Sequence, residues 1–291
     1  MDNWEKDIEL AQYTTFKIGG KADYFYRAKS ADDLVESIKS AKKENLPFFI
    51  LGSGSNTLVS DNGFRGLVIK LEYNFIEKPT ENEIIAGAGT LLSVLLFESI
   101  KYDLTGLEWA IGIPGTIGGA VCGNAGAYGQ SISNLIKSVE ILDTENLKIE
   151  NKDAEFCEFK YRESIFKNNS RYIVLSAVFE FQKGNKEEID KTIKAYILQR
   201  QEKNPLGPSA GCVFKNIQKG EEKISVGQLI EKCGLKGKII GGAQISEKHA
   251  NFIVNINNAK CTDVLGLIDL AKKAVKSEQG FEIKEEIVIL K

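Results

Sequence analysis

The sequence predicts a mixed α+β fold, and three observations lead to this class. Short apolar runs typical of strands and helix-spaced stretches are mixed along the first two thirds of the chain. No internal repeat is visible. The 291 residues are 43% apolar and 27% charged with only 5 prolines, which suits a globular core and argues against disordered or fibrous classes.

The first elements follow from spacing and from turn residues. Leu34, Ile38 and Ala41 recur at helical spacing, so a helix is predicted over 31–45, ending before Pro47. The apolar run that follows, Phe48–Leu51, predicts a buried strand. By the same reasoning we expect strands at 67–69, 84–86 and 171–181 and helices at 91–100 and 185–203.

A domain boundary is predicted at the two-proline cluster Asn204–Pro208, which ends the helix at 185–203. Beyond it we expect a strand around Val213 and Phe214, a helix at 225–233, a strand at 252–254 and a helix opened by Thr262 and closed near Gly280. The apolar end at 287–290 predicts a buried strand, with a return to the first domain left open.

Charge and cysteine content exclude several classes of protein. The formal charge of −2 provides no field for nucleic acid or anionic lipid, so neither is expected as a partner. Five cysteines without a C-x-x-C pair and a single histidine argue against a disulfide framework and a metal site. The charged N-terminus lacks the pattern of a signal peptide, and we expect a cytoplasmic protein.

Glycine is concentrated in one uncharged segment. Residues 106–129 hold 8 of the 27 glycines. The overlapping stretch 109–136 carries no charge and is long enough to resemble a membrane span. The glycines and polar residues there favour an irregular loop. Because glycine allows backbone amides to converge on an anion, Ile113–Gly119 followed by Gly123–Gly126 is interpreted as a diphosphate cradle. The alternative is a packed glycine-rich turn.

A second glycine-containing loop, 52–57, follows the predicted strand at 48–51. It lacks the third glycine of a dinucleotide fingerprint, where Thr57 stands, and the chain has no P-loop. Alone it is a weak signal that a tight turn explains. Together the two loops indicate one nucleotide or dinucleotide cofactor held from two sides.

Two reactive side chains stand out, each with a plain alternative. Arg162 in Tyr161–Ser164 is a candidate cation, although an ion pair between neighbours would also explain it. Cys212 follows a small-residue turn and precedes a predicted strand, where it is either presented to a cleft or buried as a structural cysteine. His249 has no partner evident in sequence.

Five motifs, in order along the whole chain, resemble the UDP-N-acetylenolpyruvoylglucosamine reductase family, in its shorter second type. They lie at Tyr13–Gly20, at Leu51–Asp61 with Gly63–Gly66, at Pro114–Gly129, at Tyr161–Ser164 and at Ser209–Asn216. The resemblance implies a vanillyl-alcohol-oxidase-like (PCMH-type) FAD-binding fold of two subdomains with a smaller α+β C-terminal substrate domain. The implied division is an FAD domain at 1–203 with a subdomain boundary near 71–80, a substrate domain at 204–280, and a C-terminal strand at 281–291.

The resemblance also implies an activity. NADPH would reduce FAD, and the flavoenzyme would reduce the enolpyruvyl ether of UDP-N-acetylglucosamine enolpyruvate to UDP-N-acetylmuramate. This oxidoreductase step belongs to peptidoglycan synthesis, and so to cell-wall biogenesis, cell shape and cell division. Hydride addition leaves an enolate, which needs positive charge, an acid and a proton donor.

Residue roles carry over motif by motif. Arg162 is implied as the cation, Cys212 as the proton donor in place of the family's usual serine, and Glu286 as the carboxylate. Strand alternation instead puts Glu285 on the face of Ile283 and Ile287, so the choice between the two glutamates stays open. The implied FAD-binding residues are Gly52, Ser53, Gly54, Ser55, Asn56, Thr57, Pro114, Gly115, Gly118, Gly119, Gly123 and Asn124. The implied substrate-binding residues are Lys215, Asn216, Gln228 and Asn251.

Two other functions remain open at this stage. One is a different FAD-dependent oxidase or dehydrogenase on the same fold, and the other is a nucleotide-sugar-binding protein that has lost catalysis. A monomer or weak oligomer is expected, with the UDP-sugar and NADPH as its small-molecule partners.

Overall fold

The computed structural model describes residues 3–167, 169–220 and 222–291. The α-helices within these residues are α1 (Ala31–Lys43), α2 (Leu92–Lys101), α3 (Ile117–Cys122), α4 (Lys186–Lys203), α5 (Val226–Lys232) and α6 (Cys261–Ala274). The strands are β1 (Glu5–Glu9), β2 (Lys21–Ala28), β3 (Phe48–Leu51), β4 (Thr57–Val59), β5 (Phe64–Leu71), β6 (Ile76–Glu77), β7 (Glu83–Gly87), β8 (Leu104–Thr105), β9 (Gly126–Ala127), β10 (Gln130–Ser131), β11 (Ile136–Asp143), β12 (Lys148–Asp153), β13 (Tyr172–Glu180), β14 (Gln182–Lys183), β15 (Ile217–Lys219), β16 (Glu222–Ile224), β17 (Ile239–Ile240), β18 (Ala243–Ile245), β19 (Ile253–Asn255) and β20 (Val288–Leu290).

Helix α1 shows how local sequence sets these elements. The Ser30 hydroxyl accepts from the Asp33 amide at 3.0 Å, and the Asp33 carboxylate accepts from the Ser30 amide at 3.1 Å. This capping box starts the helix, which buries Leu34 and Ile38 completely. The helix predicted from apolar spacing is confirmed.

Two compact units divide the chain, and the first contains residues 3–5, 25–53 and 66–200 among those described. Its main sheet is antiparallel, with the order β12-β11-β13-β7-β6. Helix α3 packs against the central strand β13. The first unit also contains the parallel pairing of β3 with residues 67–70 of β5, whose register places Leu51 beside Lys70. The loop that begins at Gly52 follows β3 directly.

Among the described residues, the second unit contains 6–24, 54–65, 201–220 and 222–291. Its three-stranded sheet has the order β17-β18-β19, and α5 and α6 contribute to a core built around Phe16, Leu58 and Phe214. The terminal strand β20 pairs in parallel with β4, so the apolar end of the chain joins a segment more than two hundred residues earlier. The buried strand predicted at the C-terminus is thereby confirmed.

Two predicted elements differ from the structure. Val213 and Phe214 lie in an irregular extended segment, joined to its neighbours by isolated bridges, because its partners are short pieces of distant chain. Helix α6 begins at Cys261, and its first amides donate to Asp61, at 2.6 Å from Cys261 and 3.1 Å from Thr262. The distant Asp61 carboxylate therefore caps the helix in place of Thr262, together with the local Asp263 carboxylate, which accepts from the Lys260 amide at 2.9 Å.

The packing units and the predicted domain division rest on different criteria. The units follow packing and group residues 6–24 and 54–65 with the C-terminal region. The predicted division at 203/204 concerns cofactor and substrate binding, and it stays a prediction. Among the described residues, no helix has both the length and the apolar character needed to cross a membrane.

Candidate active site

The first glycine loop, Gly52–Thr57, connects β3 to β4. Gly54 has φ +61°, and a Cβ at this position would lie 2.3 Å from the Tyr13 carbonyl oxygen, so only glycine fits. Among the described residues, the backbone amides of Gly54, Ser55 and Asn56 donate to no protein acceptor. Three successive amides without an internal acceptor are an arrangement that suits an anion.

The second glycine loop, Pro114–Gly129, uses its amides differently. The Thr116 hydroxyl accepts from the Gly119 amide at 3.3 Å and caps α3. The amides of Ile117 and Gly118 donate to carbonyls of Thr90 and Ala88, at 2.8 and 2.9 Å. The donors expected to face an anion at these positions are therefore engaged within the first unit.

Instead of free amides, the second glycine loop presents bare backbone. Within 4 Å among the described residues, a Cβ at Gly119 would meet only the Thr116 hydroxyl, at 3.5 Å, and a Cβ at Gly123 would meet only the Gly119 carbonyl, at 3.4 Å. Residues four apart in a helical turn share one face. This face is open to close approach by a flat ligand, which a side chain would prevent.

The two glycine loops meet at Gly52 and Thr116. A Cβ on Gly52 would lie 2.6 Å from the Thr116 hydroxyl oxygen, so the glycine is required by this contact. The structure thus brings together the two segments that the sequence assigned to one cofactor.

Arg162 lies in a tight turn attached to the second glycine loop. Lys160 and Glu163 exchange backbone hydrogen bonds of 3.0 and 3.1 Å around the turn. The Asn124 side chain donates to the Lys160 carbonyl at 2.9 Å, and the Ser164 hydroxyl donates to the Cys122 carbonyl at 2.7 Å. The turn is therefore fixed to the C-terminal end of α3.

The backbone of Arg162 is strained. Its φ is +57°, a left-handed conformation that costs a residue with a side chain about 1–2 kcal/mol. Its half-buried guanidinium lies 5.7 Å from the Tyr161 ring centroid. Strain of this kind is concentrated at functional sites, where surrounding contacts hold it in place.

Cys212 begins the extended segment 212–215 of the second unit. It bridges to Phe252 on one side, while on the other the Glu286 amide donates to the Val213 carbonyl at 2.7 Å. The Lys215 amide donates to the Lys284 carbonyl at 2.9 Å. The predicted proton donor and the predicted carboxylate therefore belong to adjoining, hydrogen-bonded segments.

Asn251 and Asn216 support this segment. Asn251 is 2% exposed, and its side chain both accepts from the Phe214 amide and donates to the Phe214 carbonyl, each at 2.9 Å. The Asn216 side chain accepts from the Val226 amide at 3.0 Å and caps α5. Lys215 is half-buried, and Gln228 is exposed on α5. Substrate contacts by these four residues stay a prediction.

The two adjacent glutamates differ in their surroundings. The Glu285 carboxylate forms a 2.6 Å ion pair with Lys272 of α6. Glu286 is held through its backbone, whose carbonyl also accepts from the Asn56 side chain at 3.1 Å. The charge of Glu285 is therefore paired with Lys272, which gives Glu285 a structural role.

Sequence reasoning assigned no individual role to two residues of the site. Thr116 caps α3 and contacts Gly52, and its signal was a threonine directly before Ile117 and three residues before Gly119. Lys70 donates to the Gly52 carbonyl at 2.5 Å, and its signal was a lone charge in the apolar run of β5.

Comparison with known proteins identifies the family of this chain. Residues 22–147 match the FAD binding domain, and residues 200–290 match the UDP-N-acetylenolpyruvoylglucosamine reductase C-terminal domain. The UDP-N-acetylenolpyruvoylglucosamine reductase of Caldanaerobacter subterraneus subsp. tengcongensis is 44% identical, over 97% of this chain and 91% of its own. The chain belongs to the UDP-N-acetylenolpyruvoylglucosamine reductase family.

Further relatives extend the match to structure. The reductase of Clostridium novyi is 42% identical over 98% of this chain and 92% of its own. The crystal structure of the Thermus caldophilus reductase is 32% identical and superimposes with a TM-score of 0.82, covering 99% of both chains. The predicted fold class is confirmed, and with its FAD-binding domain the chain is an FAD-dependent oxidoreductase.

Gly119 provides a direct test of whether the open face of α3 contacts FAD. Gly119→Ala is expected to stabilise the FAD-free protein by about 0.5–1 kcal/mol, because alanine favours helix. The same methyl group occupies the open face and is expected to weaken FAD binding by about 10-fold or more. Thermal unfolding of the FAD-free protein and FAD titration measure the two effects.

The matched control is Gly234→Ala, since Gly234 also has open space around it but has φ +66°. It is expected to destabilise the protein by about 1 kcal/mol without changing FAD affinity. Unchanged FAD affinity in Gly119→Ala would contradict the assignment of this face.

Proposed function

We propose that this protein reduces the enolpyruvyl ether of UDP-N-acetylglucosamine enolpyruvate to UDP-N-acetylmuramate, with NADPH as the hydride source, in peptidoglycan synthesis in the cytoplasm. Relatedness over nearly the full chain supports the substrate assignment. The observation that carries the chemistry is the hydrogen-bonded adjacency of the Cys212 and Glu286 segments. In this proposal the FAD domain is 1–203, the substrate domain is 204–280, and 281–291 is a terminal strand.

Reduction of this double bond adds a hydride to one carbon and a proton to its neighbour. FAD, when bound, supplies the hydride and takes it in turn from NADPH. The amides of the first glycine loop and the bare face of α3 are the features that would hold FAD. The chain's remaining task is to stabilise negative charge on the substrate carboxylate and deliver a proton.

The proposal gives this task to three side chains. Arg162 provides a cation on a rigid turn, where fixed geometry lowers the cost of reorganisation. The Cys212 thiol donates its proton to the carbon beside the carboxylate, and the thiolate then recovers a proton from solvent. Glu286 is the proposed acid that stabilises the same charge. Lys215, Asn216, Gln228 and Asn251 are proposed to bind or position the UDP-sugar.

Side-by-side glutamine variants discriminate between the glutamates. Glu286→Gln is expected to slow sugar reduction about 10²-fold, because the substituted group cannot act as the acid. Glu285→Gln is expected to keep the rate and lose a small amount of stability, since it weakens only the partly exposed ion pair with Lys272. Rates are measured by rapid mixing of NADPH-reduced enzyme with the sugar. A larger rate loss in Glu285→Gln would reverse the assignment.

Product analysis tests the proposed reaction. Incubation of the holoenzyme with NADPH and UDP-N-acetylglucosamine enolpyruvate is expected to give a UDP-sugar heavier by two hydrogen atoms, with equal amounts of NADPH consumed and product formed. Consumption of NADPH with matching loss of oxygen and unchanged sugar would refute the proposal and indicate an oxidase.

A further inference from the structure

Lys70 is a charged residue in a buried strand. It follows Leu67, Val68 and Ile69 on β5, all of which have 0% exposure. Burial lowers the pKa of Lys70, and the charge of Glu72 partly opposes this effect. A lysine in such a position costs folding free energy unless its ammonium has a specific partner.

The partner of the Lys70 ammonium is the first glycine loop. Its Nζ atom donates to the Gly52 carbonyl at 2.5 Å. Among the described residues it forms no ion pair, because the nearby Glu72 carboxylate is bound by Arg27 at 3.0 Å. Lys70 therefore places a positive charge directly behind the loop, without an ion-pair partner among the described residues.

This hydrogen bond fixes the direction of the next amide. The peptide between Gly52 and Ser53 is trans, since the described residues contain no cis peptide. In a trans peptide, the carbonyl and the following N–H point in opposite directions. With the Gly52 carbonyl directed at Lys70, the Ser53 N–H points away from Lys70. Among the described residues this amide donates to no protein acceptor.

A second contact holds the same peptide in place. Gly52 packs against Thr116, because a Cβ on Gly52 would lie only 2.6 Å from the Thr116 hydroxyl oxygen. Thr116 in turn caps α3, the helix that carries Gly119. The Lys70 ammonium and the Thr116 hydroxyl thus restrict Gly52 from two sides. Rotation of the peptide would break the Lys70 hydrogen bond and leave the half-buried ammonium without this partner.

We propose that Lys70 is a positioning residue for the diphosphate of FAD: it orients the Gly52–Ser53 peptide so that the Ser53 amide faces the cofactor, and it adds positive charge behind that amide. The inference rests on the proposed assignment of the first glycine loop to FAD. Lys70 itself stays behind the peptide and acts through Ser53.

The test compares FAD affinity across variants by titrating FAD release from the full-length holoenzyme. Lys70→Met is expected to raise the dissociation constant about 10- to 100-fold, the effect of losing a charge-assisted hydrogen bond. Lys70→Arg is expected to recover most of the affinity, since it keeps both charge and donor. Lys70→Met is also expected to leave the melting temperature of the FAD-free protein equal or higher, because methionine suits a buried strand.

Lys42→Met is the matched control. Lys42 also donates to a backbone carbonyl, that of Thr144, which lies between β11 and β12. The FAD affinity of the Lys42→Met variant is expected to equal that of the wild type. Equal affinity in Lys70→Met would overturn the proposal, as would loss of affinity in Lys70→Met that Lys70→Arg does not recover.

A third variant separates this inference from the loop assignment. Ser53→Pro removes the amide that Lys70 is proposed to orient. Weak FAD binding in Ser53→Pro with normal binding in Lys70→Met would reject the role of Lys70 and retain the loop. Normal binding in both would reject the loop assignment as well. The sugar specificity of the enzyme enters none of these measurements.

Discussion

Cys212→Ala is expected to slow reduction of the UDP-sugar about 10²- to 10⁴-fold, the usual contribution of a positioned proton donor. Reduction of the flavin by NADPH should be unaffected, because no substrate carbon is protonated in that half-reaction. The segment that carries Cys212 is held by Asn251, which engages both backbone atoms of Phe214. Alanine keeps this backbone geometry and removes only the thiol.

Serine at the same position separates proton donation from packing. Cys212→Ser retains a proton on a side chain of similar size and is expected to keep turnover within about 10-fold of the wild type. Cys233→Ala removes another half-buried thiol, at the end of α5, and should change neither half-reaction. Normal turnover in Cys212→Ala would show that the proton comes from a different group.

Arg162→Ala is expected to reduce the rate of sugar reduction about 10²- to 10³-fold, the range found when one stabilising group is removed from a developing anion. Misfolding should not be the cause of this lower rate. Arg162 has φ +57°, so Arg162→Gly relieves strain at this position and is expected to raise the stability of the turn by about 1 kcal/mol while remaining inactive.

Both half-reactions are measured by rapid mixing, and stability is measured by thermal unfolding. Arg171→Ala is the control for removing a guanidinium. Arg171 binds Asp143 at 2.9 Å and Glu145 at 3.0 Å, so its loss is expected to lower stability without changing the rate of sugar reduction. Equal loss of both half-reactions in Arg162→Ala would contradict a role at the substrate.

Elements with local signals were predictable from the sequence. Helix α1 combines apolar spacing with the Ser30–Asp33 capping box, and α4 ends next to the two-proline cluster. The terminal strand β20 was predictable from its composition, because four apolar residues in succession favour burial. In each case the determining residues lie within one short window.

Features set by distant contacts were not predictable in this way. Asp61 starts α6 from two hundred residues away, and the segment around Phe214 obtains its partners from residues 252 and 285. The first glycine cluster is a loop as predicted, whereas the irregular loop predicted for the second cluster was wrong in part, because residues 117–122 form α3. Sequence also could not show which amides are used internally. That difference depends on Thr116, Thr90 and Ala88, which the fold brings to the start of α3.

The orientation of the Gly52 peptide also lies beyond sequence reasoning. Lys70 and Gly52 are neighbours only because β3 and β5 pair in parallel, with Leu51 beside Lys70. A lone lysine in an apolar strand was visible in the sequence, but its partner was not. The choice between Glu285 and Glu286 has the same origin, since Lys272, the partner of Glu285, is on α6.

The most direct test of the proposed function is an anaerobic rapid-mixing measurement of flavin absorbance. The holoenzyme is first reduced with one equivalent of NADPH and then mixed with UDP-N-acetylglucosamine enolpyruvate. We predict that the absorbance of oxidised flavin returns without oxygen, at a rate at least equal to turnover. Flavin that stays reduced with the sugar and reoxidises only when air is admitted would contradict the account.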